Sequence, residues 1–375
     1  MPRTALIVGA GIGGLSAGIA LRQAGWNIRI FERADSPREL GFGLGLAPNA
    51  LAALRELGVA DVVTARGFQP RIGEFRRLSG KVFKRVSLPP HFVGGPLLMA
   101  LRPALHGALL EAVTPQAITL SRDAIGFDQQ QDVVTLRFAD GKNVEGDLLV
   151  GADGFESVVR RQLHRDEPRP TPIGIISLRG ATHGAIDQLG GLDAIAYFGR
   201  GIESMLLRAS DTGIYWFCSL ARELVSPGVT DPSEILRLIS PLFDQTFRRI
   251  TSAAVDLRAD DLADRDPLAS WGQGGATLLG DAAHPMLPHT GQGAAQAIID
   301  GVALGSALKS EASIESGLRT YEANRLGTTA GWVRKGRRTA GIMRSTSPAL
   351  NVVRELVIRA IPVKPLTWFY LGKRR

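Results

Sequence analysis

The alternation of apolar and polar positions divides this chain into a strand–helix–strand opening, a strand-rich middle and helical stretches towards the C-terminus. Ala5-Leu6-Ile7-Val8 is a short uninterrupted apolar run, the mark of a buried strand. Leu15 to Ala24 follows with helical character and stops at Gly25, a residue type that readily takes the left-handed conformation ending a helix. A second run, Asn27 to Phe31, predicts a neighbouring strand and ends on Glu32. Gly41 to Ala50 carries too much glycine for a regular element, and helix resumes from Ala50 to Leu57 before Gly58. Residues 72 to 86 alternate as a hairpin turning at Ser79-Gly80. Pro103 suits the first turn of a helix running from Leu101 to Val113.

From Ile118 to Val150 the pattern is strand-rich, with Asp140-Gly141 turning a hairpin between Val133–Phe138 and Asn143–Leu149. Leu148-Leu149-Val150 enters Gly151-Ala152-Asp153-Gly154-Phe155, and a helix follows through Leu163. Runs at Ile173–Leu178, Ala194–Phe198, Met205–Leu207 and Ile214–Leu220 predict further strands. Asp231 to Ile250 predicts a helix, and Ala276 to Leu279 another short buried strand. These elements sort into an α/β fold with a discontinuous Rossmann-like dinucleotide domain at residues 1–70, 96–168 and 262–345. A mixed or antiparallel substrate-facing sheet, 71–95 and 169–261, is inserted into it, and 346–375 forms a C-terminal helix and tail.

Between the first strand and helix stands Gly9-Ala10-Gly11-Ile12-Gly13-Gly14. Gly9 makes the tight turn, Gly11 lets a pyrophosphate approach the main chain, and Gly14 lets helix and strand pack closely. The helix N-terminus then faces the phosphates. Glu32 lies at the offset expected of an acid that accepts ribose hydroxyls, which favours FAD or NAD(H) over NADP(H). A second loop, Leu279 to Gly293, places Gly280, Asp281, two prolines and Gly291-Gln292-Gly293 ahead of the apolar run Ala294 to Ala303. Such a loop leaves N–H groups pointing ahead of a helix. Gly291 and Gly293 let a flat ligand reach the main chain, and Asp281 offers an acceptor for hydroxyl groups. The loop suits something planar, hydroxylated and electron-withdrawing.

A length of 375 residues accommodates one large domain or two ordinary ones. Hydrophobic content of 45% against 21% charged is that of a soluble globular protein. The apolar N-terminus does not read as a signal peptide, because its glycines sit where the dinucleotide turn needs them. A single cysteine, Cys218, excludes an intramolecular disulfide framework, and the histidines lack metal-ligand spacing. A reducing, cytoplasmic location is expected. The net charge of +8 reads as a solvated basic surface that attracts anionic cofactors and substrates. No nucleic-acid partner is expected, since no reader module and no aromatics interleaved with the basic clusters are present. Near the C-terminus Val352, Val353, Leu356, Val357, Ala360 and Ile361 follow helical spacing, and Trp368-Phe369-Tyr370 precede a basic end. Such a tail can touch a membrane surface, but the expectation is that its stripe packs onto the protein's own body.

Three motifs stand in order: Gly9-x-Gly11-x-x-Gly14 with Glu32, then Gly151-Ala-Asp-Gly-Phe-Glu-Ser-Val-Val-Arg160, then Gly280-Asp-Ala-Ala-His-Pro with Gly291-Gln-Gly293. Together they resemble the group A flavoprotein monooxygenases, of the salicylate and para-hydroxybenzoate hydroxylase type, over most of the chain. The resemblance implies an FAD enzyme, reduced by NADH or NADPH, that captures O2 as a flavin C4a-hydroperoxide and hydroxylates an aromatic or heteroaromatic small molecule. It implies that Gly9, Gly11, Ile12, Gly13 and Gly14 meet the cofactor, and that Glu32 takes the adenosine ribose with Arg33 beside it. Arg102 would bind near the pyrophosphate or ribityl chain, and Ala124 joins the cofactor set. Asp153 would serve both FAD and NAD(P)H. Gly280 and Asp281 would meet the ribityl or pyrophosphate region, and Pro288, Gly291, Gln292 and Gly293 would line the isoalloxazine. A helix N-terminus there stabilises the negative charge of reduced flavin.

The flavin supplies the difficult step, so neither nucleophile nor metal is expected. Ser157 is expected to cap or pack. Tyr197, Tyr215, His183, His289 and Thr290 could reach a substrate, yet each is expected to serve core or loop instead. Two positions depart from the family's habit: Leu101 stands where histidine often precedes the arginine, and Ile299-Asp300 where Glu-Asp is common. Competing readings are an epoxidase or oxygenase of a lipophilic or quinone-like substrate, and a low-turnover flavin-binding partner protein. A halogenase is disfavoured because Trp-x-Trp-x-Ile-Pro is absent. The chain is expected to act as a monomer or homodimer.

Overall fold

The computed structural model describes residues 3–36, 42–87 and 97–362. The glycine loop joins β1 (Thr4–Val8) to α1 (Ile12–Gln23), and β2 (Asn27–Phe31) returns beside β1. The glycine-rich stretch contains a strand where none was expected, β3 (Gly43–Leu46). Tertiary packing overrides local propensity there, for a Cβ on Gly43 would stand 2.6 Å from the Tyr215 side chain. Next come α2 (Pro48–Glu56), α3 (Ala60–Arg66), the hairpin β4 (Ile72–Arg77) and β5 (Val82–Ser87), β6 (Leu98–Leu101) and α4 (Arg102–Ala112). The strand-rich stretch supplies β7 (Ile118–Thr119), β8 (Ala124–Gln130), β9 (Val133–Phe138), β10 (Asn143–Gly146) and β11 (Leu148–Gly151), then α5 (Val158–Leu163).

Four long strands follow: β12 (Thr171–His183), β13 (Ala194–Gly199), β14 (Ile202–Arg208) and β15 (Gly213–Ala221). The helix expected over 231–250 is two, α6 (Pro232–Ile239) and α7 (Gln245–Ser252). Pro241 lies between them without an N–H to continue the ladder, and Asp244 reopens helix by accepting from the Phe247 amide at 2.9 Å. The polar stretch after α7 forms β16 (Ala254–Asp264), an edge strand whose charges the sequence pattern had not suggested as sheet. Last come β17 (Ala276–Leu278), α8 (Gly293–Ser310), the long α9 (Ile314–Arg344) and α10 (Pro348–Ala360).

The strands form a five-stranded parallel sheet, ordered β17-β11-β1-β2-β7, a seven-stranded mixed sheet, ordered β16-β12-β15-β14-β13-β4-β5, and two small antiparallel sheets, β10-β9-β8 and β3-β6. The parallel strands read as continuous apolar runs because helices bury the sheet. α1 lies so close to α8 that a Cβ on Gly301 would fall 2.8 Å from the Ala17 amide nitrogen. One face of the mixed sheet buries Trp216, Tyr197 and Cys218 with Phe243 and Phe247 near α6 and α7. On the other face Met343 of α9 and Ile358 of α10 pack with Ala196 and Phe198. α10 itself corrects an expectation, since Val352, Val353, Leu356 and Val357 face outward rather than onto the protein's body. Trp368-Phe369-Tyr370 lie outside the described residues.

Candidate active site

The carboxyl ends of the parallel strands bring the scattered motifs to one edge, where open α/β sheets place ligands. The Gly9 amide donates to the Phe31 carbonyl at 2.8 Å, Ala152 to Val8 at 2.9 Å and Leu279 to Gly151 at 2.9 Å. Gly9 adopts φ +100°, and a Cβ there would meet the Ala152 carbonyl oxygen at 2.5 Å. A Cβ on Gly13 would touch Leu279 at 2.7 Å, so the two loops separated by most of the chain are in direct contact. Asp281 points towards the start of α8, with Oδ1 4.0 Å from where a Gly293 Cβ would sit. Gly280 and Gly291 both have positive φ, and Pro288 lies in the short helical turn between them.

Glu32 turns back onto the glycine loop and accepts from the amides of Ala10 at 2.9 Å and Ala34 at 3.0 Å. A carboxylate has about four acceptor positions, so hydroxyl groups can still bind. Arg33 is exposed beside it, Arg102 opens α4, and Ala124 is buried at the start of β8. Neither α1 nor α8 has a side-chain cap at its N-terminus, where Gly11 and Gln292 stand, with Ile12 beginning α1. Asp153 accepts from the Val158 amide at 2.7 Å through Oδ2, while Oδ1 is buried without a partner. Burial raises its carboxyl above the usual range. Uncapped helix ends facing a glycine cradle, beside an unpartnered buried oxygen, fit a phosphate-bearing dinucleotide.

A buried polar network that the motifs did not reveal holds the 280s loop. Asp300 accepts from His284 at 2.5 Å, from Arg325 at 2.7 Å and from the Gly280 amide at 3.1 Å. Burial opposes the charge on Asp300, but His284 and Arg325 outweigh it and hold the carboxyl below its ordinary range. Arg325 also donates to Gln296 at 2.6 Å, and Gln296 to Gln292 at 3.1 Å, so the chain of contacts ends at the start of α8. Arg160, buried in α5, donates to the carbonyls of Ala282 and Ala283 and pairs with Glu167 at 2.6 Å. Ser157 caps α5, accepting from the Arg160 amide at 2.9 Å. The departure noted at Ile299-Asp300 therefore retains the acid that matters to this network.

The mixed sheet turns one face towards the same loop. Ser219 of β15 hydrogen-bonds Nε2 of His289 at 3.0 Å. Strand alternation puts Tyr215 and Phe217 on that face with Ser219, and the register adds Arg179 of β12 and Glu203 and Met205 of β14. Tyr215, Phe217 and Met205 are half-buried, which leaves an aromatic wall partly open. Arg179 and Arg102 both pull on the Tyr215 hydroxyl, which burial nonetheless pushes up to about 12. Burial lowers the His289 imidazole to about 4, so it stays neutral near neutrality, and Nδ1 and the neighbouring Thr290 hydroxyl are buried without partners. Tyr197 belongs elsewhere, donating to Asp244 at 2.8 Å in the opposite core, and His183 is exposed at a strand end. The sequence had the strand periods for these wall residues but gave no indication which face met the loop.

Glu203 lies opposite Ser219, fully buried, with Oε2 unpartnered. Burial pushes its carboxyl up to about 7 against the pull of Arg354. The folded state therefore keeps a proton that the unfolded chain releases, and stability falls as pH rises from the ordinary value of 4.5 to about 7. Glu203→Gln removes the ionisation and is expected to stabilise the protein by roughly 3 kcal/mol at about pH 8 and far less at about pH 5. Thermal melts at the two pH values check this: equal shifts would mean an ordinary carboxyl.

A family model described as an FAD binding domain matches residues 3–335. The chain belongs to this FAD-binding family. It is 36% identical over 332 residues to an aurachin C monooxygenase/isomerase of Stigmatella aurantiaca, covering 86% of this chain and 85% of that one. It is 31% identical over 338 residues to a 6-hydroxynicotinate 3-monooxygenase of Pseudomonas fluorescens, covering 86% and 87%. In fold it is similar to Klebsiella pneumoniae HpxO, whose crystal structure holds FAD and uric acid, with a TM-score of 0.89, 24% identity and coverage of 98% and 96%. The chain is an FAD-dependent monooxygenase, and NAD(P)H and O2 are the family's usual co-substrates.

Proposed function

We propose that this flavoprotein hydroxylates an aromatic or heteroaromatic small molecule between the 288–293 loop and the open wall of the mixed sheet. The observation that carries the reading is the Ser219–His289 hydrogen bond, which sets the half-buried Tyr215, Phe217 and Met205 beside the loop at the start of α8. FAD supplies the oxygen-transfer chemistry when bound. Gly9, Gly11, Ile12, Gly13 and Gly14 cradle its pyrophosphate, Glu32 accepts from the adenosine ribose, and Arg33 and Ala124 complete the adenine end. Arg102 and Asp281 hold the middle, with Gly280 shaping the turn, and Asp153 serves cofactor and reductant. Pro288, Gly291, Gln292 and Gly293 border the flavin ring. The positive end of α8 favours the anionic reduced ring, and the sheet wall excludes water from it.

A second reading, an oxygenase of a lipophilic or quinone-like natural product, is supported by the relative named for aurachin C and by the apolar character of Met205, Leu207 and Phe217. Anaerobic reduction of the flavin by NADH and NADPH, followed by its bleaching, separates these readings. A phenol, hydroxypyridine or benzoate should accelerate bleaching by about tenfold or more under the first reading. Acceleration only by lipophilic alkenes or quinones would transfer the assignment to the second, and acceleration by no member of either panel would sink both.

A further inference from the structure

α10 is turned inside out. Its polar side chains face the protein: Arg354 is 9% exposed, donates to the Gly199 carbonyl at 2.8 Å and stacks over Phe198 with 5.2 Å to the ring centroid. Glu355 bridges to Arg77 at 2.7 Å, and Lys84 donates to the Ile358 carbonyl at 2.6 Å. Of its apolar side chains Ile358 packs inward, and five others point away. Leu350, Val352, Val353, Leu356 and Val357 are each between 47% and 59% exposed. Spacings of three and four residues join them into one continuous stripe on a helix about 20 Å long. Scattered exposed aliphatics need no explanation, but a contiguous stripe held outward by the inward contacts of Arg354 and Glu355 does.

Charge identifies what covers it. Residues 334–375 contain eleven of the chain's Lys and Arg residues and a single acid, Glu355, a balance of +10; the remaining 333 residues therefore carry −2. A second copy would bring the same positive end against itself, and a nucleic acid would leave the apolar stripe in water. We propose that α10 docks on an anionic phospholipid bilayer, with its apolar stripe in the headgroup boundary and exposed basic side chains such as Arg359 against lipid phosphates. Among the described residues no helix is long and apolar enough to cross a membrane, so the contact lies in the interface. The inference is independent of which substrate the enzyme oxidises.

Full-length, FAD-loaded protein should co-sediment with equimolar phosphatidylcholine/phosphatidylglycerol vesicles at low salt. Binding should fall by about tenfold with pure phosphatidylcholine and again at about 0.5 M salt. Val353→Glu with Leu356→Glu should weaken binding by about tenfold or more, with flavin content and NAD(P)H oxidation unchanged. Leu350→Ser with Val357→Ser repeats the test should the first pair reduce folding. Failure to bind anionic vesicles, binding that ignores both variant pairs, or a solution dimer that the same variants dissociate would each overturn the proposal, as would tighter binding to single-stranded RNA than to the vesicles.

Discussion

Gly14→Ala is expected to yield a protein that no longer retains FAD. A Cβ at this position would lie 1.9 Å from the Gly9 carbonyl oxygen, which belongs to backbone and cannot swing aside. Either α1 lifts from β1 or the Gly9 turn opens, and both disorder the cradle that faces the pyrophosphate. An affinity loss of about a hundredfold or more is expected, equivalent to roughly 2.7 kcal/mol. Flavin content after gel filtration and fluorescence titration of the apoprotein with FAD measure it. Gly327→Ala is the control: it lies in α9 with nothing within 4 Å of the added methyl, and helix propensity alone should make it neutral or slightly stabilising. Equal FAD affinity in the two variants would remove the glycine cradle from the cofactor site.

Asp300→Ala is expected to destabilise the protein by about 3–5 kcal/mol, because it leaves Arg325 buried without its counter-charge. It also withdraws the acceptor that holds His284 and the Gly280 amide, so the 280s loop should loosen and FAD affinity fall with stability. Asp300→Asn combined with Arg325→Met removes both charges and should cost less than the two single changes together. Because the Asp300 carboxyl is held low by its partners, its contribution is present at neutral pH and is lost as pH falls through the folded-state value. Denaturant melts of wild type, Asp300→Asn, Arg325→Met and the double variant, with and without FAD, give the coupling. Additive effects would mean that the pair does not act as one unit.

The strongest local signals in the sequence were also the ones that positioned the site. Ala5–Val8, the glycines after it and Leu279–Gly293 each carry their meaning in a few consecutive residues, through apolar burial or a required backbone shape. The edges that long-range packing decides were not legible. Gly43–Leu46 is a strand only because β6 pairs with it and Tyr215 covers it. The wall of Tyr215, Phe217 and Arg179 follows from a two-residue period, but its side was fixed by the distant Ser219–His289 contact. In α10 the apolar period is legible in the sequence and its direction is not, since the buried Arg354 reverses the usual orientation of an amphipathic helix. Asp300 shows the same limit, as nothing local marks it as the partner of both His284 and Arg325.

The central claim is that this chain couples NAD(P)H oxidation through FAD to insertion of one oxygen atom into an aromatic or heteroaromatic ring. Turnover under isotopically labelled dioxygen, with product mass and hydrogen peroxide measured together, tests it most directly. The expected result is a hydroxylated ring carrying one labelled oxygen, formed in step with reductant consumed. Reductant recovered wholly as hydrogen peroxide across phenols, hydroxypyridines and quinolines, with no labelled product, would contradict it.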